Sequence, residues 1–191
     1  MNVFTYNKSM EIIKTEIQDL FVIKPKVFED ARGYFFEAYN KQVFAEFGLY
    51  QDFKQDNESK SQRGTIRGLH FQEPPYAQHK LVRVVAGAVF DVAVDIRSGS
   101  PTYGKWHGVI LTSTNKLMFW IPQGFAHGFQ SLEDNTIFQY KCSEYYHPES
   151  ENSIIWNDAD INIAWQNIPP ITSSKDNTAK PLNKFISKFS I

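Results

Sequence analysis

Residues 88–97, AVFDVAVDIR, alternate strictly. Phe90, Val92, Val94 and Ile96 fall on one side of an extended chain and Asp91, Ala93, Asp95 and Arg97 on the other. A helix would scatter both sets around its axis, so the segment reads as a strand. Similar short stretches recur at close spacing: FVIKPKVF, YFFEAY, GTIRGLHFQ, KLVRVVAG, WHGVILT, KLMFWIP, GFAHGFQSL and TIFQYKCSEYY. Between them stand turn-forming clusters such as DARG, SGSPTYG, TSTN and LEDN. Helical periodicity is confined to residues 40–48, NKQVFAEFG, where Val43, Phe44 and Phe47 share a face, Asn40 caps the start and Gly48 ends it. Many short strands with one short helix predict an all-β chain folded as an antiparallel sandwich or barrel.

The 191 residues suffice for one domain with a core and are few for two. The expected organisation is a single domain over 1–191. Residues 1–10, MNVFTYNKSM, form a flexible leader, and the irregular, Pro- and Asn-rich residues 157–191 form a covering segment or tail. With 20 Lys plus Arg against 21 Asp plus Glu, no broad positive field exists to hold nucleic acid or an anionic membrane. No apolar run is long enough to span a bilayer and no secretory signal opens the chain, so the expected location is the cytoplasm. The one cysteine, Cys142, has no internal partner, which agrees with a reducing compartment. The 16 Phe, 9 Tyr and 4 Trp suit both β-sheet and a stacking surface for a ring-shaped ligand.

Two histidine-bearing stretches stand out. GTIRGLHFQ sets His70 between Leu69 and Phe71, and WIPQGFAHGF carries Pro122, Gly124 and His127 as P-x-G-x-x-H after an apolar strand. The second stretch resembles a motif of the cupins, double-stranded β-helix barrels of the jelly-roll type. Metal-binding cupins also supply an H-x-H, and here the corresponding place reads His70, Phe71, Gln72, so one ligand is missing. Taken singly, Lys80 at a strand start, Tyr140 in mid-strand beside Phe138 and Cys142, and the Lys175, Asp176 pair in a loop-like region each have a plain structural explanation.

Together they match a family. GTIRGLHFQ, QHKLVRVVAGAVFDVAVDIR, PTYGKW, WIPQGFAHGF, YKCSEYYHPESE, IIWND and SSKDNTAKPL, in this order, resemble the dTDP-4-dehydrorhamnose 3,5-epimerases, as do DARGYFFEAYN and QDNESKS. The resemblance spans roughly residues 12 to 185. It implies a homodimeric cupin-type enzyme using no cofactor and no metal, with a dTDP-4-dehydro-6-deoxy-sugar as substrate. Inverting C3 and C5 beside a C4 ketone needs a base, a stabiliser for the enolate oxygen and an acid on the opposite face. The resemblance implies His70 as base, Asp176 as the carboxylate that orients it, Lys80 as the cation near the C4 oxygen and Tyr140 as the returning acid. It implies substrate contacts at Arg32, Phe35 and Glu37, some across a dimer interface, and at Gln55, Asn57, Arg67, His127, Tyr146 and Lys175. Strict alternation puts Arg67 and His70 on opposite faces of one strand, and a bulge at Gly68 reconciles them. Relatives that invert one carbon only, or that bind without turnover, keep much of the same pattern.

Overall fold

The computed structural model describes residues 10–191. The expected leader lies outside the described residues except for Met10, which opens the first strand. Two antiparallel sheets face each other. One has six strands in the order β1 (Met10–Lys14), β2 (Phe21–Pro25), β10 (Met118–Ile121), β7 (Lys80–Ala86), β12 (Thr136–Cys142) and β5 (Gln55–Ser61). The other has five: β13 (Glu151–Ser153), β6 (Ile66–Gln72), β11 (Phe125–Ser131), β8 (Ala88–Asp95) and β9 (Trp106–Thr112). A separate hairpin pairs β3 (Phe28–Asp30) with β4 (Gly33–Phe35). The result is a cupin-type jelly roll whose two sheets each keep free edges, so the barrel is not closed.

The main core lies between the sheets. Val82, Val84, Phe119 and Phe138 from the six-stranded sheet meet Val89, Ala93, Leu111 and Phe129 from the five-stranded one. Each fully buried apolar side chain of this size contributes about 1.5–3 kcal/mol. A second cluster covers the outer face of the five-stranded sheet: Phe90, Val92 and Val94 pack under Ile154, Ile161, Ile163, Leu182 and Phe189. The C-terminal residues are therefore a covering segment, and with one face of β8 under it and the other, which carries Asp91 and Asp95, turned to the six-stranded sheet, every residue of the strand is buried. A third cluster seats helix α1 (Lys41–Glu46) through Phe44 on Met118 and Trp120. Asn40 caps that helix by accepting from the N–H groups of Gln42 and Val43, and Gly48 leaves it at φ +77.

The strands differ from the sequence expectation in several places: β1 and β13 are not among the expected strands, and FVIKPKVF is divided between β2 and β3. YFFEAY extends only to Phe35 before the chain turns irregular, and TIFQYKCSEYY ends as a strand at Cys142. β5, QDNESKS, has no apolar residue. It forms because it pairs with β12 along its whole length, from Gln55 opposite Cys142 to Ser61 opposite Thr136.

Candidate active site

The inner face of the six-stranded sheet changes character along its length. Register places Phe119, Val82, Tyr140 and Asn57 in one row across β10, β7, β12 and β5, and Ile121, Lys80, Cys142 and Gln55 in the next. The sheet passes within a few residues from packed core to a polar wall. Opposite stands β6 with His70, and between them lies a cavity of about 280 Å³ lined by His70, Lys80, Tyr140, Gln55, Asn57 and Tyr146 among others.

His70 reaches its place through a bulge. Arg67 pairs with Phe129 and His70 with His127, so β6 advances three residues where β11 advances two. Gly68 sits at this extra residue with φ +152, and a Cβ there would stand 2.6 Å from the Cα of Gly128. The two glycines let the backbones approach, and past the irregularity His70 lines the cavity together with Tyr140. Arg67 donates from Nε to Ser61 Oγ at 3.2 Å, and its charge draws the Tyr140 phenol toward ionisation.

Behind His70 lies helix α2 (Ser174–Thr178), in the covering segment. Asp176 Oδ1 stands 2.6 Å from His70 Nε2, while Oδ2 accepts from the Ser173 hydroxyl at 2.6 Å. Ser173 Oγ in turn accepts from the Asp176 N–H, closing a capping box. Burial alone would raise the Asp176 pKa. Hydrogen bonds from His70 and Ser173 and the charge of His70 outweigh it and hold the carboxyl at about 2. An ionised Asp176 accepting from Nε2–H leaves Nδ1 as the basic nitrogen of His70.

Lys80 makes no hydrogen bond or ion pair among the described residues. Burial pulls its pKa below 10.5, against the opposing pull of Cys142, Asp91 and Glu151. The Tyr140 hydroxyl is likewise without a hydrogen-bond partner, and burial pushes it above 10.0. Two polar groups free in a half-buried cavity are available to a ligand. His127, the cross-strand neighbour of His70, directs Nε2 to the fully buried Asp91 at 2.9 Å, and burial keeps its pKa below 6.5.

Among the expected contact residues, Gln55, Asn57 and Tyr146 line the cavity, and Lys175 pairs with Glu151 on its rim at 2.5 Å. Arg32, Phe35 and Glu37 do not line it: they lie on the β3–β4 hairpin and just after it, with Arg32 paired to Asp30. Glu151 was missed by sequence reasoning. It sits in the polar run PESENS, where no periodicity marks it, and it enters the site only because β13 pairs with β6. Among the described residues no group of three His, Cys, Asp or Glu is placed to hold a metal ion.

A carboxylate-oriented imidazole facing an ammonium and a phenol can move protons at carbon next to a carbonyl, and on this scaffold it defines a cupin-type acid–base site. The chain belongs to the dTDP-4-dehydrorhamnose 3,5-epimerase family, whose model matches residues 14–184. It is 54% identical over 168 residues to a dTDP-4-dehydrorhamnose 3,5-epimerase from Shigella flexneri, covering 87% of this chain and 93% of that one. A crystal structure of dTDP-6-deoxy-D-glucose-3,5-epimerase from Legionella pneumophila, in complex with dTDP-4-keto-L-rhamnose, superposes with a TM-score of 0.89 at 50% identity, covering 93% of this chain and 95% of that chain. A 3'-monoepimerase from Streptomyces bikiniensis in complex with dTDP-quinovose superposes at 0.85 with 33% identity, covering 90% and 87%.

Proposed function

We propose that the protein is a single-domain isomerase that inverts C3 and C5 of dTDP-4-dehydro-6-deoxy-D-glucose, giving dTDP-4-dehydro-L-rhamnose for dTDP-L-rhamnose synthesis. The observation that carries this reading is the His70–Asp176 couple at 2.6 Å, set across one cavity from an unpaired Lys80 and Tyr140. His70 Nδ1 takes the proton from the carbon next to the C4 ketone, and the electron pair moves onto the C4 oxygen. The Lys80 ammonium meets that oxygen as its charge grows, so it stabilises the enolate more than the ketone. Tyr140 returns a proton to C5 from the opposite face, and water serves C3. Asp176 fixes the ring tautomer and favours the imidazolium between the two transfers.

Gln55, Asn57, Arg67, His127 and Lys175 bind the sugar and diphosphate, and Tyr146 offers a stacking face to the thymine. Arg32, Phe35 and Glu37 serve the site of a second copy in a homodimer. The hairpin supports this: it pairs with no other described strand and leaves Phe28, Tyr34 and Phe35 exposed at 52%, 56% and 66%. The lone, buried Cys142 supports a cytoplasmic place, and no described helix is long and apolar enough to cross a membrane.

Turnover in deuterated water tests the reaction. Deuterium at both C3 and C5 of the product is expected. Exchange at one carbon only would make the protein a monoepimerase, the activity of the less similar Streptomyces bikiniensis structure. His70→Ala separates catalysis from binding: kcat is expected to fall by about 10²–10⁴ with dTDP affinity kept, whereas a protein that only binds has no rate to lose.

A further inference from the structure

Gln72 follows His70 by two residues on β6, so both side chains leave the strand on the same side and both line the cavity. It is 4% exposed, and its carboxamide is engaged three times. Nε2 donates to the carbonyls of Tyr76 at 2.8 Å and Tyr145 at 3.1 Å, and Oε1 accepts from the N–H of His147 at 2.8 Å. The residue between these last two is Tyr146, whose own N–H donates to Gln55 Oε1 at 2.9 Å. The chain after β12 has no strand partner here, and side-chain amides take over the fixing of its backbone.

The Tyr146 ring is 54% exposed, and its hydroxyl donates to Glu151 Oε2 at 2.9 Å. Glu151 is the register partner of Gln72 across β13 and β6, and its other oxygen meets Lys175, the neighbour of Asp176. Chain neighbours join these contacts to the catalytic pair: Gln72 stands two residues from His70, and Lys175 precedes Asp176.

We propose that Gln72 is a positioning residue that holds Tyr146 as a pre-formed stacking face for the nucleobase, acting on capture of the nucleotide and not on proton transfer. The inference rests on the reading of Tyr146 given above. An aromatic ring on an irregular segment must lose backbone freedom before it can stack, and three directed hydrogen bonds make that loss part of folding instead of binding. The role needs a side chain that donates and accepts at once. Glutamate has the shape of Gln72 but no N–H, so it sets a carboxylate against two carbonyl oxygens.

Steady-state kinetics and dTDP titration calorimetry on Gln72→Glu, Tyr146→Ala and the double variant test this. Gln72→Glu is expected to raise KM and the dTDP Kd about tenfold while kcat falls less than about threefold, and to add less than about twofold once Tyr146 is alanine. A folded Gln72→Glu with unchanged dTDP Kd overturns the proposal, as does a loss confined to kcat or full additivity with Tyr146→Ala. Should Gln72→Glu melt below assay temperature, Gln72→Met, which keeps the length and removes all three bonds, decides by the same readings. If Tyr146→Ala itself leaves the dTDP Kd unchanged, the stacking role of Tyr146 falls first and the role of Gln72 with it.

Discussion

Asp176 is more acidic than an ordinary aspartate although its side chain is only 5% exposed. Its anion is thus stabilised more by folding than its neutral form is, and the sign of the pH dependence follows. A carboxyl with a folded pKa of about 2 against an ordinary 3.8 adds stability that is fully present above pH 3.8 and lost as pH falls toward 2. The amount is about 2 kcal/mol. Urea midpoints of the protein and of Asp176→Asn are expected to differ most above pH 3.8 and to converge near pH 2. Lys80 and Tyr140 respond to burial in opposite senses, the ammonium losing its proton more readily and the phenol less. The proposed mechanism needs both protonated, and with burial favouring loss of the Lys80 proton the expected alkaline fall in kcat follows Lys80 and begins below its ordinary 10.5. Tyr140→Phe is expected to lower kcat yet keep that alkaline limb, and Lys80→Met to remove about 10² or more of kcat across the whole range. An alkaline limb that disappears in Tyr140→Phe would reverse the assignment.

At the scale of elements, the site depends on β6 departing from regular pairing. Gly68→Ala places a methyl 2.6 Å from the Gly128 Cα and 3.2 Å from the His127 carbonyl, at a φ of +152 that L-residues rarely adopt. A cost of about 3 kcal/mol is expected, visible as a lower urea midpoint, together with a fall in kcat of about tenfold or more as His70 shifts against Asp176. The bulge was legible in GTIRGLHFQ only once the resemblance assigned Arg67 and His70, on nominally opposite faces with Gly68 between them, to one site. The apolar strands were legible for the same kind of reason: where one face is buried, alternation appears in residue type, as in β8. β5 was not, since its alternation separates inward Gln55, Asn57 and Ser59 from outward Asp56, Glu58 and Lys60, and all six are polar. Nor was α2, whose five residues are too few for a period and whose capping box only becomes meaningful once Asp176 meets a strand 106 residues earlier. Asp176 was singled out by resemblance, and Glu151 and Gln72 by neither route, because the role of Glu151 depends on β13 pairing with β6 and that of Gln72 on bonds to the Tyr145 and His147 backbone far along the chain.

On the whole molecule, the covering segment and the hairpin have opposite relations to the fold. Residues after Ile154 turn back onto the five-stranded sheet and bury their apolar side chains there, bringing Asp176 to the site of their own chain. In the hairpin, β3 and β4 are exposed at every position; within the described chain Lys26 lies over the Phe28 ring at 5.0 Å and Lys116 over Tyr34 at 3.7 Å, and Phe35 is 66% exposed. Two strands alone are marginal in water, and in the proposed homodimer a second copy supplies the surface on which this hairpin gains its burial. If Arg32 acts in the partner's site while His70 acts in its own, defects in the two are separable between chains. His70→Ala and Arg32→Ala homodimers are each expected to be weak. In a hybrid, one site loses both residues and the other regains both, because the Arg32→Ala chain keeps His70 and receives Arg32 from its neighbour. Random pairing makes half of the dimers hybrids, each with one restored site of two, so co-expression of the two variants in equal amounts is expected to recover roughly a quarter of full activity. Recovery no greater than the mean of the two parent variants would place Arg32 in the site of its own chain or outside any site, and a monomer by light scattering at micromolar concentration would remove the partner altogether.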